Sequence, residues 1–252
     1  MNIFDLYGIK EVADVAFYDI ATGAPVLYLD TLKVTTVEET SSSASANGGK
    51  GNSALIKWDF GKEITLTVED ALFSMKSMAF MHGAKIHRYG SADPKSRNKV
   101  LRTAKVVATA AQKPTGFAEG AKFYDESGKE ATSTFTKGET YLVTWEETIE
   151  NGLETIEVDA DSFPGTYKIV GDTYARNYKT GKDEFFQFTI PMAKVNFENT
   201  ITMQADGDPS TFSMTLSVLR PEDGGMIVFA KYPKAADASA EDDSIIVDFS
   251  QG

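Results

Sequence analysis

The sequence predicts a mainly β protein, a β-sandwich or barrel with one flanking α-helix and a β-rich insertion. Three observations carry that reading. Short runs of β-branched and aromatic residues recur along the 252 residues with turn residues between them, which is the spacing of sandwiches and barrels. Only one stretch, about 68–82, sets apolar residues at three- and four-residue spacing. Hydrophobic residues make up 42% of the chain, enough for a core at this length.

Residues 13–20 read as a strand, Ala21-Thr22-Gly23-Ala24-Pro25 as a turn and residues 26–37 as a long returning strand, together a hairpin. Next comes Thr40-Ser41-Ser42-Ser43-Ala44-Ser45-Ala46-Asn47-Gly48-Gly49-Lys50-Gly51-Asn52-Ser53. Small polar residues and glycines gain too little from burial to offset about 1–2 kcal/mol of backbone entropy per ordered residue, so a mobile loop is expected here. A long loop inside a β domain is usually functional. Residues 54–60 and 64–68 read as strands on either side of a Gly61-Lys62-Glu63 turn.

The helix over 68–82 places Glu69 and Asp70 at its positive end and Gly83 at its stop. Leu72, Met75, Met78 or Ala79, and His82 share the side expected to pack on a sheet. From Lys85 to Lys105 the charge reverses: Lys85, Arg88, Lys95, Arg97, Lys99, Arg102 and Lys105 are opposed only by Asp93. Two readings stay open for this basic strip. It is a solvated connection, or a patch that meets an acidic surface on a neighbouring copy, such as that of Glu139, Glu146, Glu147, Glu150, Glu154, Glu157, Asp159 and Asp161.

The middle third alternates strands at 121–124, 131–135 and 140–148 with turns at Asp125-Glu126-Ser127-Gly128 and Lys137-Gly138. Strand patterns continue at 163–170, 185–190, 193–197, 200–205, 211–219 and 225–232. Pro191 and Pro221 belong at strand boundaries or edges, because proline has no ladder donor. The layout is therefore a β core over 1–113 and 165–233, a β-rich insertion over 114–164, and an acidic C-terminal tail over 234–252 with a last strand candidate at 245–249.

Composition limits the function. With 37 acidic and 25 basic residues the formal charge is −12, which opposes any role that needs phosphates neutralised. There are no cysteines, so disulfide frameworks, thiolate metal sites and cysteine nucleophiles are excluded. No apolar run approaches the roughly 20 residues that span a bilayer, and residues 1–7 lack the basic and apolar regions of a secretory signal. No membrane partner is expected.

Catalytic material is scarce. His82 and His87 have no HExxH spacing, Gly48-Gly49-Lys50-Gly51-Asn52 lacks the phosphate-loop pattern, and no serine sits in a Gly-x-Ser-x-Gly elbow. Glu146 with Glu147, and Asp242 with Asp243, are adjacent, so on a strand they point to opposite faces and cannot flank one glycosidic bond. Asp206-Gly207-Asp208 opens like a calcium loop but lacks the later bidentate acid, so it reads as a turn. The chain is expected to be no enzyme and to carry no cofactor or metal.

Two stretches resemble the tail tube proteins of tailed bacteriophages, particularly those of Gram-positive hosts. One runs from Gly48-Gly49-Lys50-Gly51-Asn52 through Trp58-Asp59-Phe60-Gly61-Lys62-Glu63-Ile64 to Glu69-Asp70-Ala71-Leu72-Phe73-Ser74. The other joins Ile190-Pro191-Met192-Ala193-Lys194-Val195 to Gly207-Asp208-Pro209-Ser210-Thr211-Phe212-Ser213-Met214 and Met226-Ile227-Val228-Phe229. The resemblance implies a tail-tube-like fold, hexameric rings that stack into a hollow conduit for DNA, and a long inter-strand loop that reaches the adjacent ring. Ser41, Ser42, Ser43, Asn47, Gly48, Gly49, Lys50, Gly51 and Asn52 would form that loop. It also implies an acidic lumen, tape measure, baseplate or terminator proteins as partners, and a place in the virion tail after assembly in the host cytoplasm. The 114–164 region exceeds what a minimal tube subunit needs, and is an outward-facing β module or an elaboration of the core.

Two alternatives remain. One is another virion or injection-system structural protein. The other is a carbohydrate-binding or hydrolase β-sandwich that uses Trp58, Trp145 and surface tyrosines as sugar platforms, although both tryptophans sit in strand patterns where burial is expected.

Overall fold

The computed structural model describes residues 6–90, 98–196, 211–222 and 224–233, and the structural statements below concern these residues. The strand candidates at 200–205 and 245–249, the Asp206-Gly207-Asp208 turn and the acidic tail lie outside them. The protein is mainly β, 57% strand and 4% helix, and none of its sheets closes into a barrel.

Fourteen strands and one helix follow in the order β1 (Tyr7–Ile9), β2 (Asp14–Asp19), β3 (Pro25–Leu29), β4 (Leu32–Gly48), β5 (Ser53–Asp70), α1 (Met75–His82), β6 (Lys85–Tyr89), β7 (Lys99–Val107), β8 (Lys122–Tyr124), β9 (Thr140–Thr148), β10 (Leu153–Glu157), β11 (Thr166–Asn177), β12 (Asp183–Val195), β13 (Phe212–Val218) and β14 (Val228–Tyr232). The chain divides into two compact units. Residues 1–84 and 158–252 make the first, and residues 85–157 the second. The second unit thus begins at Lys85, not near Pro114, because Lys85–Tyr89 and Lys99–Val107 are strands that pair with later residues of that unit.

In the first unit a nine-stranded sheet runs β3-β2-β11-β12-β13-β5-β4, with β1 added to β11 and β14 to β12. Its two ends return to each other. Val15, Phe17, Leu27 and Leu29 from one end share a buried cluster with Ile64, Leu66, Val68, Met214 and Leu216 from the other. The sheet is therefore strongly curled around one core, yet β3 and β4 do not pair and stay as its two terminal edges. The β2–β3 turn forms as its sequence requires. Asp19 accepts hydrogen bonds from the Thr22 backbone N–H and hydroxyl, both at 2.7 Å, and those bonds hold its carboxyl below the ordinary carboxylate range.

The helix is shorter than expected. Residues 68–70 continue β5, and the helix proper is Met75–His82. Ser74 caps it: its Oγ accepts from Ser77 N–H at 3.0 Å while Ser77 Oγ accepts from Ser74 N–H at 2.9 Å. Asp70 instead binds the turn, accepting from the Thr31 hydroxyl at 2.5 Å and Leu72 N–H at 3.1 Å. Ala79, Phe80 and Met81 are buried, and Leu72 is exposed. The expected packing side thus holds at Ala79 and fails at Leu72, which precedes a helix that starts seven residues later than expected. Phe80 packs on Phe17 and Tyr167 at ring distances of 5.0 and 4.4 Å.

Pro191 lies inside β12, where the expected strands at 185–190 and 193–197 join into one. It sits in the irregular step of the β11–β12 ladder between Ile190 and Ala193, a bulge where a missing donor costs little.

The second unit holds a two-stranded sheet, β10-β6, and a three-stranded sheet, β7-β9-β8. Ala108, Ala121, Phe123, Phe135, Tyr141 and Val143 are its buried core, with Phe117 and Trp145 packed against them. The expected strand at 131–135 is absent as a named strand; Phe135 enters the core from a loop.

Gly83 ends α1 with φ of 62°, and a Cβ there would come within 2.2 Å of the Phe163 carbonyl. Gly83→Ala should therefore cost at least about 2 kcal/mol in urea unfolding. Gly23→Ala, with φ of 68° but nothing within 4 Å, should cost only about 1 kcal/mol.

Candidate functional site

The stretch expected to be a mobile loop is a hairpin arm. Residues 40–48 are the outer half of β4 and pair with the outer half of β5: Ser42 with Phe60, Ser43 with Asp59, Ala44 with Trp58, Ser45 with Lys57 and Ala46 with Ile56. Only Gly49-Lys50-Gly51-Asn52 remains as a turn. Gly49, Gly51 and Asn52 take φ of 78°, 91° and 50°, and Asn52 N–H donates to the Gly49 carbonyl at 3.2 Å. Composition misleads here because it reflects burial alone. Here ladder hydrogen bonds to a β-prone partner, continuous with a buried inner half at Ile64, Leu66 and Val68, offset the entropy.

Gly61-Lys62-Glu63 is also not a turn. Thr40 pairs with Glu63 and Ser42 with Phe60, so β5 carries one extra residue opposite Ser41, a bulge with Gly61 at φ of 62°. Outward of it the arm presents Leu55, Ile56, Trp58 and Phe60 at 67%, 54%, 53% and 57% exposure. Trp58 is thus exposed, against the expectation of burial, because it lies beyond the reach of the core. Trp145 is half-buried, 5.3 Å from Phe117. Two ion pairs flank the arm, Lys62 with Glu39 at 2.7 Å and Lys57 with Asp59 at 3.6 Å, both exposed and worth little. The free side of β4 from Thr40 to Asn47 carries no charge at all.

The structure divides the basic strip. Lys85 and Arg88 lie on β6, Lys99, Arg102 and Lys105 on β7, while Lys95 and Arg97 lie outside the described residues. Arg88 meets Glu154 at 2.6 Å, Lys99 meets Glu146 at 2.6 Å and Arg102 meets Glu147 at 3.3 Å. Acids proposed for a neighbouring copy are thus cross-strand partners in the same unit. Sequence distance hid this, since the paired residues are about 30 to 70 positions apart.

A second electrostatic feature lies on the outer face of the first unit. Asp14 and Asp172 are direct register partners on β2 and β11, an unfavourable like-charge pair. Tyr28 donates to Asp14 at 3.3 Å, and its phenol is pushed up by desolvation and then by the charges of Asp14, Asp30 and Asp172. His82 ends α1 and His87 lies on β6. Among the described residues no three His, Cys, Asp or Glu side chains gather as a metal site.

This arrangement is that of a scaffold with a projecting arm. A match to the YomU/Tube protein family covers residues 7–231, from β1 into β14 and through both units. The chain belongs to that family. It is a phage-type tube structural protein, a component of the virion tail. No curated protein matches it significantly.

In this tube protein the features that sequence reading missed are the apolar row on β5 and the bulge that interrupts it. The signal was present: Ile56, Trp58 and Phe60 alternate as a strand should, and glycine breaks the run after them. If the arm is a formed hairpin, amides of Ser42 to Ala46 that face β5 will exchange slowly in the monomer, measured by hydrogen exchange. Trp58→Ser should change monomer stability by less than about 0.5 kcal/mol, whereas Phe17→Ala in the core should cost about 3–5 kcal/mol. A double-mutant cycle on Arg88 and Glu154 should give a coupling below about 1 kcal/mol.

Proposed function

We propose that this tube protein assembles into hexameric rings that stack into a hollow conduit through which DNA passes on ejection. The observation that carries the reading is the arm, a preformed hairpin with an uncharged free edge and exposed apolar residues that its own core does not cover. A soluble monomer does not leave such an edge unguarded, because it pairs with other chains. The curled sheet also has two unlike terminal edges, β3 and β4. Joining unlike surfaces head to tail generates a closed ring when the rotation closes.

In this reading residues 26–37, on the terminal strands β3 and β4, pair across subunits around the lumen, and Lys50 at the arm's tip meets the ring below. Residues 54–68 support them as β5, whose inner part is already paired on both sides by β4 and β13. Negative charge supports passage of DNA. The chain carries −12, and Asp14, Asp30 and Asp172 gather on one face. Such a surface repels phosphates and lets a duplex slide. The role is structural, with no catalysis and no cofactor. Assembly takes place in the host cytoplasm, with tape measure, baseplate or terminator proteins as further partners.

Shortening the arm tests the proposal. Replacement of residues 42–60 by Asn-Gly should leave a folded monomer, since Ile64, Leu66 and Val68 keep their core. Negative-stain microscopy at high concentration should show hollow tubes of stacked rings for the full chain and none for the shortened one. Unimpaired tube growth without the arm would refute its role.

A further inference from the structure

Along β5 the apolar alternation is continuous in sequence and broken in space. Ile56, Trp58, Phe60, Ile64, Leu66 and Val68 all stand at even positions. In a regular strand all six would project from one face. The bulge prevents that: Gly61 and Lys62 together oppose Ser41, and one extra residue moves every side chain beyond it to the other face. The register partners record the change. Ile64 and Leu66 pair with Glu39 and Val37, whereas Phe60, Trp58 and Ile56 pair with Ser42, Ala44 and Ala46, the opposite alternation on β4. Inward of the bulge the row is buried, and outward of it the row is exposed.

We propose that the Gly61 bulge is a face switch: it turns Ile56, Trp58 and Phe60 away from the molecule's own core side and presents them to a second copy of this chain. The inference rests on the tube reading above and adds to it which face of the arm binds and which residue selects that face. Glycine is needed at 61 for conformation and not for space, since φ is 62° and a Cβ would meet only the Ser42 hydroxyl at 4.0 Å. The bed beneath the row is flat, built of Ser42, Ala44 and Ala46. The other face is polar, with Lys57 and Asp59 paired over Ser45 and Ser43.

A second copy is the occupant that charge favours. The chain as a whole carries −12, while residues 40–61 hold Lys50 and Lys57 against Asp59 alone. A slightly positive, apolar arm complements the acidic surface of another copy, where the rest of the two chains would repel. The uncharged β4 edge beside the row can add main-chain hydrogen bonds to the same contact.

The experiment uses the full chain with Trp145→Phe, which leaves Trp58 as the sole one of the two tryptophans. On assembly into tubes, Trp58 emission should shift to the blue and lose iodide quenching. Trp58→Ser in the otherwise unaltered chain should raise the concentration needed for tubes about tenfold or more, while Lys57→Ser, on the opposite face, should change it less than about twofold. Insertion of one Thr between Ser41 and Ser42, which gives Gly61 and Lys62 a partner each and so restores the regular alternation with all six apolar residues on one face, should leave a folded monomer by circular dichroism that forms no tubes. The inference is overturned if Trp58 in tubes stays as exposed as in the monomer, if Lys57→Ser impairs assembly as much as Trp58→Ser, or if the insertion variant assembles like its parent. Absence of tubes from the unaltered chain would overturn the tube reading itself, and this inference with it.

Discussion

The rest of the structure depends on the antiparallel ladder between β4 and β5. Its inner half is fastened by burial, with Ile64, Leu66 and Val68 in the core and β13 paired along the far side of β5. Its outer half has no core. There the ladder is held by main-chain hydrogen bonds to one partner strand, by a tight turn at Gly49-Lys50-Gly51-Asn52, and by its continuity with the anchored part. A hairpin that is marginal on its own becomes ordered when one end is already fixed, because nucleation has been met by the core.

That division of labour explains how one strand serves two purposes. Apolar residues recur with the same alternation from Ile56 to Val68, but only those inward of Gly61 contribute to folding. A single bulge separates the two roles. It allows the outer row to remain apolar without drawing the arm onto the core, and the ion pair of Lys62 with Glu39 marks the same junction.

The second unit shows a different economy. Its basic residues look anomalous in an acidic chain until the strands are paired, when Arg88, Lys99 and Arg102 meet glutamates across β6–β10 and β7–β9. Exposed pairs of this kind contribute little stability, so their effect is to keep charges of one sign from accumulating on a sheet face. The unit's aromatic core of Phe117, Phe123, Phe135, Tyr141 and Trp145 is what holds it together.

Much was legible in the chain alone. Alternation and turn residues located β2, β9 and the Asp125 turn nearly to the residue, because these depend on local chemistry: a side chain that caps its own turn, or a face that must be buried. Resemblance in short motifs pointed to tube proteins, which the family match over residues 7–231 then showed. Other features were decided only in three dimensions. Ser41 to Asn47 has no strand signal of its own and is a strand because β5 lies beside it; the helix starts at Met75 because Val68 to Asp70 are held by β13 and β4. The same holds for the arm's exposed face. Sequence alternation states which residues share a side, but a bulge at Gly61 is a property of two paired strands, and only their register determines to which side the apolar row turns.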